Sequence, residues 1–203
     1  MRNLTPHFAV LALGRGKPVE QFLGPAFGFG RPGIRWVSIE PRRSGGFEVL
    51  HHLAWDVGGL EHSDISEFPP LDPGADETWQ QIAEHDDAAE AMRLAERHTD
   101  AAPGQWMNFG VAAEDYRDYV RVGRLPYPAS EDDLTAIVQR LMNGDGDERA
   151  AAWWLDGLSR QTGCLHLTDM IFWPVRDYSA TDITVHVMGC TPIPMPGHVN
   201  GQR

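Results

Sequence analysis

Basic residues are scarce in this chain: 17 Lys and Arg stand against 29 Asp and Glu, for a net charge of -12. That deficit argues against nucleic acid or an anionic membrane as a direct partner, because phosphate binding needs clustered Lys and Arg. Cysteine is nearly missing, with only Cys164 and Cys190 present. No disulfide framework can be built from two residues, and a cytosolic setting with free thiols is expected. No apolar run approaches the roughly 18 residues that a membrane span needs. The run Phe8-Ala9-Val10-Leu11-Ala12-Leu13 is short and has no small-residue cleavage pattern after it. It therefore reads as a first strand rather than a signal peptide. Internal repeats and low-complexity tracts are lacking as well. What is left is a globular composition, with 203 residues, 42% hydrophobic, and 21 Gly and 15 Pro that point to many turns.

Residues 1–125 have α+β character. Gly33 to Glu40 and Phe47 to Trp55 are strand-like runs, and the turn-rich Pro41-Arg42-Arg43-Ser44-Gly45-Gly46 between them makes a hairpin. Glu67 to Gly74, with three prolines, breaks regular structure. A helix is expected from Asp86 to His98, with Ala88, Met92 and Ala95 as its buried stripe. Trp106 to Val111 has strand character, and Ala113 to Val120 that of a short helix.

A second break, Gly123-Arg124-Leu125-Pro126-Tyr127-Pro128-Ala129, has the composition of a linker and divides the chain into domains 1–125 and 126–203. Beyond it the pattern turns helical. Ser130-Glu131-Asp132-Asp133 is a helix start, since the Ser hydroxyl can accept from the amide three residues on and acids suit the positive helix end. Leu134, Ile137, Val138 and Leu141 mark one apolar face, and Asn143-Gly144-Asp145-Gly146 stops the helix. A second helix spans Asp147 to Gln161, with Ala151, Trp154, Leu155 and Leu158 on one side. A short third turn is closed by Pro174, which cannot supply the next amide donor. A fourth helix starts at Ser179 and carries Ile183, Val185, Val187 and Met188. The tail from Pro192 to Gly197 is expected to be extended.

The densest stretch is Thr168-Asp169-Met170-Ile171-Phe172-Trp173-Pro174. Neighbouring residues on a helix diverge by about 100°, so Phe172 and Trp173 cannot both face one core. An exposed aromatic beside a carboxylate is the usual composition of a protein-binding hot spot. Four helices in this order, the third short and ending in acid-x-x-aromatic-aromatic-Pro, resemble the colicin DNase immunity proteins. These are small acidic four-helix proteins that bind and neutralise a cognate nuclease bacteriocin. The family's Ser-Asp-Leu-Ile-Tyr-Tyr-Pro stands here as Thr168 to Pro174, and its Asn-Ala-Asp as Asn143-Gly144-Asp145. The likeness covers the last third of the chain.

That resemblance implies a non-enzymatic immunity protein of the cytoplasm, with a four-helix domain, no cofactor and no metal, and a basic nuclease toxin as partner. It assigns the toxin-binding anchor to Asp169, Phe172 and Trp173, flanked by Thr168 and Pro174. It places Glu148, Ala151, Ala152, Leu155, Asp156 and Ser159 on the face of the second helix that selects the cognate toxin. The chain departs from the family there: the acid usual near Ser159 is missing, two alanines replace larger aliphatics, and the anchor lacks both aromatic hydroxyls. Ten acidic against five basic residues from Pro126 onward suit a basic partner. The alternative is an interaction module without a toxin partner, whose helices serve only to pack.

Enzyme chemistry finds little support in the spacing. His51, His52, His62, His85 and His98 complete no metal motif, and adjacent strand residues His51 and His52 point to opposite faces. Cys164 with His166 lacks an orienting third group for nucleophilic work, and Cys164 reads as a small apolar residue in a turn. Gly14-Arg15-Gly16-Lys17 and Gly28-Phe29-Gly30-Arg31 complete no phosphate loop, and turn chemistry accounts for both. A pocket where His and acids converge would be the sign of an enzyme in the N-terminal half.

Overall fold

The computed structural model describes residues 3–164 and 166–190; the expected extended tail at Pro192 to Gly197 lies outside them. The fold is mixed α/β. Among the described residues there are a five-stranded antiparallel sheet and seven α-helices. The chain divides into two compact units, the first running to Pro128 and the second starting at Ala129. No helix of the described residues is long and apolar enough to cross a membrane.

The first unit opens with a helix. Phe8 to Leu13 is expected to be a strand, yet Pro6–Gly14 is helix α1. Thr5 caps it, its side chain accepting from the Phe8 amide, and Pro6 occupies the first turn, where its fixed φ and missing N–H cost nothing. Ala9 and Leu13, four apart, are the residues it buries, while Phe8 and Leu11 face out. An apolar run without alternation carries no strand signal of its own, so the cap and the proline decide.

Strands β1 (Val19–Gly28), β2 (Arg31–Pro41), β3 (Phe47–Trp55), β4 (Trp79–His85) and β5 (Met107–Asn108) form the sheet in the order β4-β3-β2-β1-β5. The β2–β3 hairpin is as expected, pairing Gly33 with Trp55 through to Pro41 with Phe47. Sequence reasoning missed β1, where Gly24 and Pro25 conceal the pattern. Gly24 sits at φ 97° in a register shift against β2. Pro25 is tolerated because β5 pairs only with Val19 and Glu20, leaving the rest of that side of β1 an edge. The β1–β2 turn at Phe29-Gly30 has positive φ at both residues, 51° and 73°, the geometry that matches strand twist. The strand expected over Trp106 to Val111 reduces to Met107–Asn108. Strand β4, also missed, is outermost on one side and largely exposed.

Period-two alternation divides the sheet's side chains between two layers. Val19, Leu23, Val37, Ile39 and Val49 pack with Ala9 and Leu13 of α1 and with Ala91, Met92 and Ala95 of α2 (Ala88–His98). On the other face Phe22 meets Tyr116 and Tyr119 of α3 (Ala112–Val122), and Phe68 meets Tyr116 edge-on at 5.2 Å. Tyr116 donates to Asp56 Oδ1 at 2.6 Å, and Arg124 Nη1 donates to the same oxygen at 2.7 Å. Burial first, and then the hydrogen bond to Asp56, push the Tyr116 hydroxyl above its ordinary range. Burial would depress Arg124, but its hydrogen bond and charge contact with Asp56 outweigh that and raise it.

In the second unit the start and stop signals land where the residues put them. Helix α4 is Glu131–Asn143, with a full capping box between Ser130 and Asp133, and left-handed Gly144 ends it at φ 72°. Leu134, Ile137, Val138 and Leu141 are its buried residues. Helix α5 is Glu148–Thr162, capped by Asp147 and ended by Gly163. Trp153, Trp154 and Leu158 are buried along it, with Arg140 of α4 lying 4.0 Å over the Trp154 ring. Ala151 and Leu155, expected on that buried side, are only partly covered. Helix α6 is Leu167–Phe172 and α7 is Ala180–Met188, the latter with a second capping box, between Ser179 and Asp182. Ile183 and Val187 of α7 are buried, whereas Val185 and Met188 are exposed. Helix α4 packs on α5, α6 and α7.

Candidate functional site

The six-residue α6 is too short to hold itself together; Leu167 and Ile171, four apart, pin it into the core of the second unit. That pair occupies the inward face, which leaves Asp169 and Phe172, at i and i+3, on the outward one, with Trp173 as the residue that caps the helix end beside them. Adjacency in the sequence predicts that one aromatic faces solvent. Both do, Phe172 at 42% and Trp173 at 71% exposure, because Ile171 takes the inward position. Their rings meet edge-on at 5.9 Å, and the Trp173 amide closes the helix onto the Asp169 carbonyl at 2.9 Å. Thr168, Asp169 and Pro174 are exposed as well. An apolar pair with a carboxylate at its side is a surface that can fill a pocket and accept a hydrogen bond.

On α5 the residues named by the resemblance form a stripe. Glu148 and Ala152 are exposed, and Ala151, Leu155, Asp156 and Ser159 are partly so. They lie opposite Ala150, Trp153, Trp154, Gly157 and Leu158, which the core takes. Asp156 is held by Arg160 one turn on, at 2.8 Å. Small side chains at Ala151, Ala152 and Ser159 leave this stripe flatter than the aromatic ridge of α6.

A second concavity lies within the first unit and was not legible in the sequence. A cavity of about 660 Å³ opens on the sheet face that carries α3. Glu20, Trp36 and His52 line its floor, Trp79 and Phe109 its apolar walls, and Asp64, Glu77 and Arg117 stand among its polar lining. His52 is 8% exposed and stacks on Trp36 at 4.4 Å with the rings 10° from parallel. Burial, and then the neighbouring His51, push its pKa down to about 4. The imidazole is thus neutral near pH 7. Ser38 Oγ donates to Glu40 at 3.0 Å and lies 2.9 Å from His52 Nε2. With the single hydroxyl proton directed at Glu40, neutral His52 donates from Nε2 to Ser38.

Glu20 is 4% exposed, and its carboxylate accepts from the Ala112 amide at 2.6 Å. It thereby serves as a cap for α3, whose own N-cap residue Val111 has no side chain able to do so. Burial raises its pKa, against the lowering effect of the amides of Ala112, Gly110 and Val111. Both titratable groups on the floor are therefore engaged by the protein itself. Ser38 is fully buried and cannot reach a substrate. The cavity brings one histidine, His52, together with the acids Glu20, Asp64, Glu77 and Glu114.

The histidines considered from sequence do not converge. His52 is in the cavity floor, His51 points to the other sheet face, and His62 packs against Phe68 at 5.3 Å. His85 accepts from the Asp87 amide near the start of α2, and His98 is exposed at its end. Cys164 is buried after Gly163 and His166 is exposed. Among the described residues one group of three could hold a metal ion, and it joins Cys164 to His186 and Cys190. No spacing motif announces it. Comparison with family models, curated proteins and solved structures found no match.

Proposed function

We propose that the second unit is an immunity-type inhibitor, a four-helix bundle that binds a nuclease bacteriocin through α6 and neutralises it without doing chemistry itself. The observation that carries this reading is the exposure of Asp169 and Phe172 on a short helix, with Trp173 at its end, pinned from behind by Leu167 and Ile171. A lone exposed tryptophan is unremarkable, but two aromatics and an acid set side by side are an anchor in want of a pocket. The α5 stripe from Glu148 to Ser159 supplies a neighbouring surface for discrimination. The acidic balance of the segment favours a basic nuclease and speeds the encounter at low salt.

The test is calorimetric titration of the full chain with the nuclease toxin domain encoded beside its gene. The anchor reading expects tight binding that removes DNase activity. Trp173→Ala should weaken it by about 2 kcal/mol, roughly thirty-fold, at unchanged thermal stability. Absence of binding to that toxin sinks the proposal, and so does a Trp173→Ala variant of wild-type affinity.

The cavity of the first unit favours a second reading, confined to that unit: a site for a small organic cation. The rings of Trp79 and Phe109, with Asp64, Glu77 and Glu114 outnumbering Arg117, form surroundings that attract a positive charge. Titration with polyamines should shift tryptophan emission in the full chain and not in Trp79→Ala. An equal response to neutral analogues removes this reading.

A further inference from the structure

The turn between α5 and α6 and the end of α7 bring three soft ligands together in the second unit. Cys164 follows the left-handed Gly163 that ends α5 and is 1% exposed. His186 lies in the last turn of α7, and Cys190 is four residues further on. The Cys190 amide donates to the Val187 carbonyl at 3.2 Å, so the backbone keeps turning beyond the helix end and returns Cys190 to the side of His186. Helix α6, just after Cys164, packs on α7. The two Sγ atoms and a ring nitrogen of His186 all lie within 4.8 Å of one another.

A tetrahedral zinc ion with bonds of about 2.3 Å to sulfur and 2.0–2.1 Å to nitrogen holds its ligand atoms roughly 3.5–3.8 Å apart. The three groups thus need to close by about 1.3 Å at most, which side-chain rotation supplies. We propose that Cys164, His186 and Cys190 bind one zinc ion. Two thiolates balance the charge of the cation, and imidazole completes a donor set that favours zinc over magnesium or calcium. The fourth position opens on the side of His186, which is exposed, and takes a water. A disulfide between Cys164 and Cys190 would leave His186 without a part, and both cysteines are free thiols. The sulfur contacts to give up are weak: the thiol hydrogen bond between Cys164 and Cys190, and the one from Cys190 Sγ to the His186 carbonyl at 3.6 Å.

The consequence is mechanical. The ion fastens the segment that leads into α6 to the end of α7 and so fixes the helix that carries Asp169, Phe172 and Trp173. This site stands independently of any toxin.

The experiment uses the full chain, reduced and metal-free, titrated with Co²⁺ as a visible probe and then with Zn²⁺. Expected are the ligand-field bands of tetrahedral cobalt and a near-ultraviolet thiolate charge-transfer band, both saturating at one equivalent and both erased by one equivalent of Zn²⁺. Cys190→Ala and His186→Gln, on accessible positions, should weaken Zn²⁺ binding at least about tenfold, with circular dichroism reporting that each is folded. Cys164→Ala serves as a third variant if it folds. The proposal is overturned if the reduced protein gives no charge-transfer band, or if Cys190→Ala and His186→Gln bind as the parent does. Recovery of a Cys164–Cys190 disulfide that, once reduced, takes up no cobalt overturns it as well.

Discussion

Acidification through His52 is the sharpest perturbation available in the first unit. The folded imidazole titrates at about 4 instead of 6.5, because it is buried against Trp36 and lies beside His51. Its folded pKa is depressed, so the unfolded chain binds the proton first, and stability rises with pH between 4 and 6.5. The stability present above pH 6.5 is lost as the pH falls through that window. A difference of 2.5 pH units corresponds to about 3 kcal/mol in full and to about 2.5 kcal/mol already at pH 4.5. Glu20 acts in the opposite sense. Its carboxyl is raised above 4.5, so its contribution is present below that value and is lost as the pH rises.

Subtraction separates the two. Urea unfolding of the parent and of His52→Phe, which keeps the stack on Trp36, should be followed at pH 7.5 and 4.5. The variant loses the contact with Ser38, worth about 1 kcal/mol, and is less stable at pH 7.5; the difference should shift by about 2.5 kcal/mol in its favour at pH 4.5, so that the order reverses. The imidazole proton resonance that vanishes in His52→Phe should titrate near 4 in the parent. A His52 titration between 6 and 7, or a gap that does not change with pH, refutes the reasoning.

Further outcomes follow from the same packing. Asp56→Ala strips Tyr116 and Arg124 of the oxygen they share, and with Asp56 3% exposed it should cost about 3 kcal/mol in denaturant unfolding. Gly58→Ala places a methyl against Phe68 Cζ, 2.5 Å from the His62 carbonyl and 2.6 Å from the Tyr116 hydroxyl; destabilisation of about 2–3 kcal/mol is expected. Ser130→Ala removes the hydroxyl that accepts from the Asp133 amide at 3.2 Å, and should lower α4 stability by about 1 kcal/mol, read as a lower melting temperature. Salt up to 0.5 M should leave that loss nearly unchanged, since it is a local hydrogen bond.

Where a residue's effect is local, the sequence was a good guide. Ser130 and Ser179 start helices because a hydroxyl three residues before an amide needs nothing else in the fold, and Gly144 and Gly163 end them for an equally local reason. The stripe of α2 and the β2–β3 hairpin are similar cases. Other features depend on distant partners. β1 exists because β2 pairs with it along its whole length, despite Gly24 and Pro25. β4 is polar and gains its place from β3 alone.

The candidate sites divide along the same line. Asp169, Phe172 and Trp173 stand within five residues; helical spacing sets the first two on one face, and Trp173 follows at the helix end. Glu20, His52 and Trp79 reach one cavity only after four strands, β1 to β4, have paired, and Cys164 meets His186 and Cys190 only once α6 has folded against α7. Adjacency misled as well. In sequence Cys164 stands two residues from His166, while its spatial neighbour is His186.

The polar character of β4 has one more consequence. Its outer rim is a row of backbone groups that a second copy of the chain could extend, the first step toward strand-to-strand aggregation. Gln80, Gln81, Glu84 and His85 make that rim hydrophilic, and the register shift opposite Val49 and Leu50 breaks its regularity. At the far side β5 covers only the start of β1, and the edge of β1 beyond it is interrupted by Pro25, which offers no amide, and by the register shift at Gly24. In a chain whose acids already repel one another, both ends of the sheet are thus poor templates, and concentrated solutions should resist fibril formation.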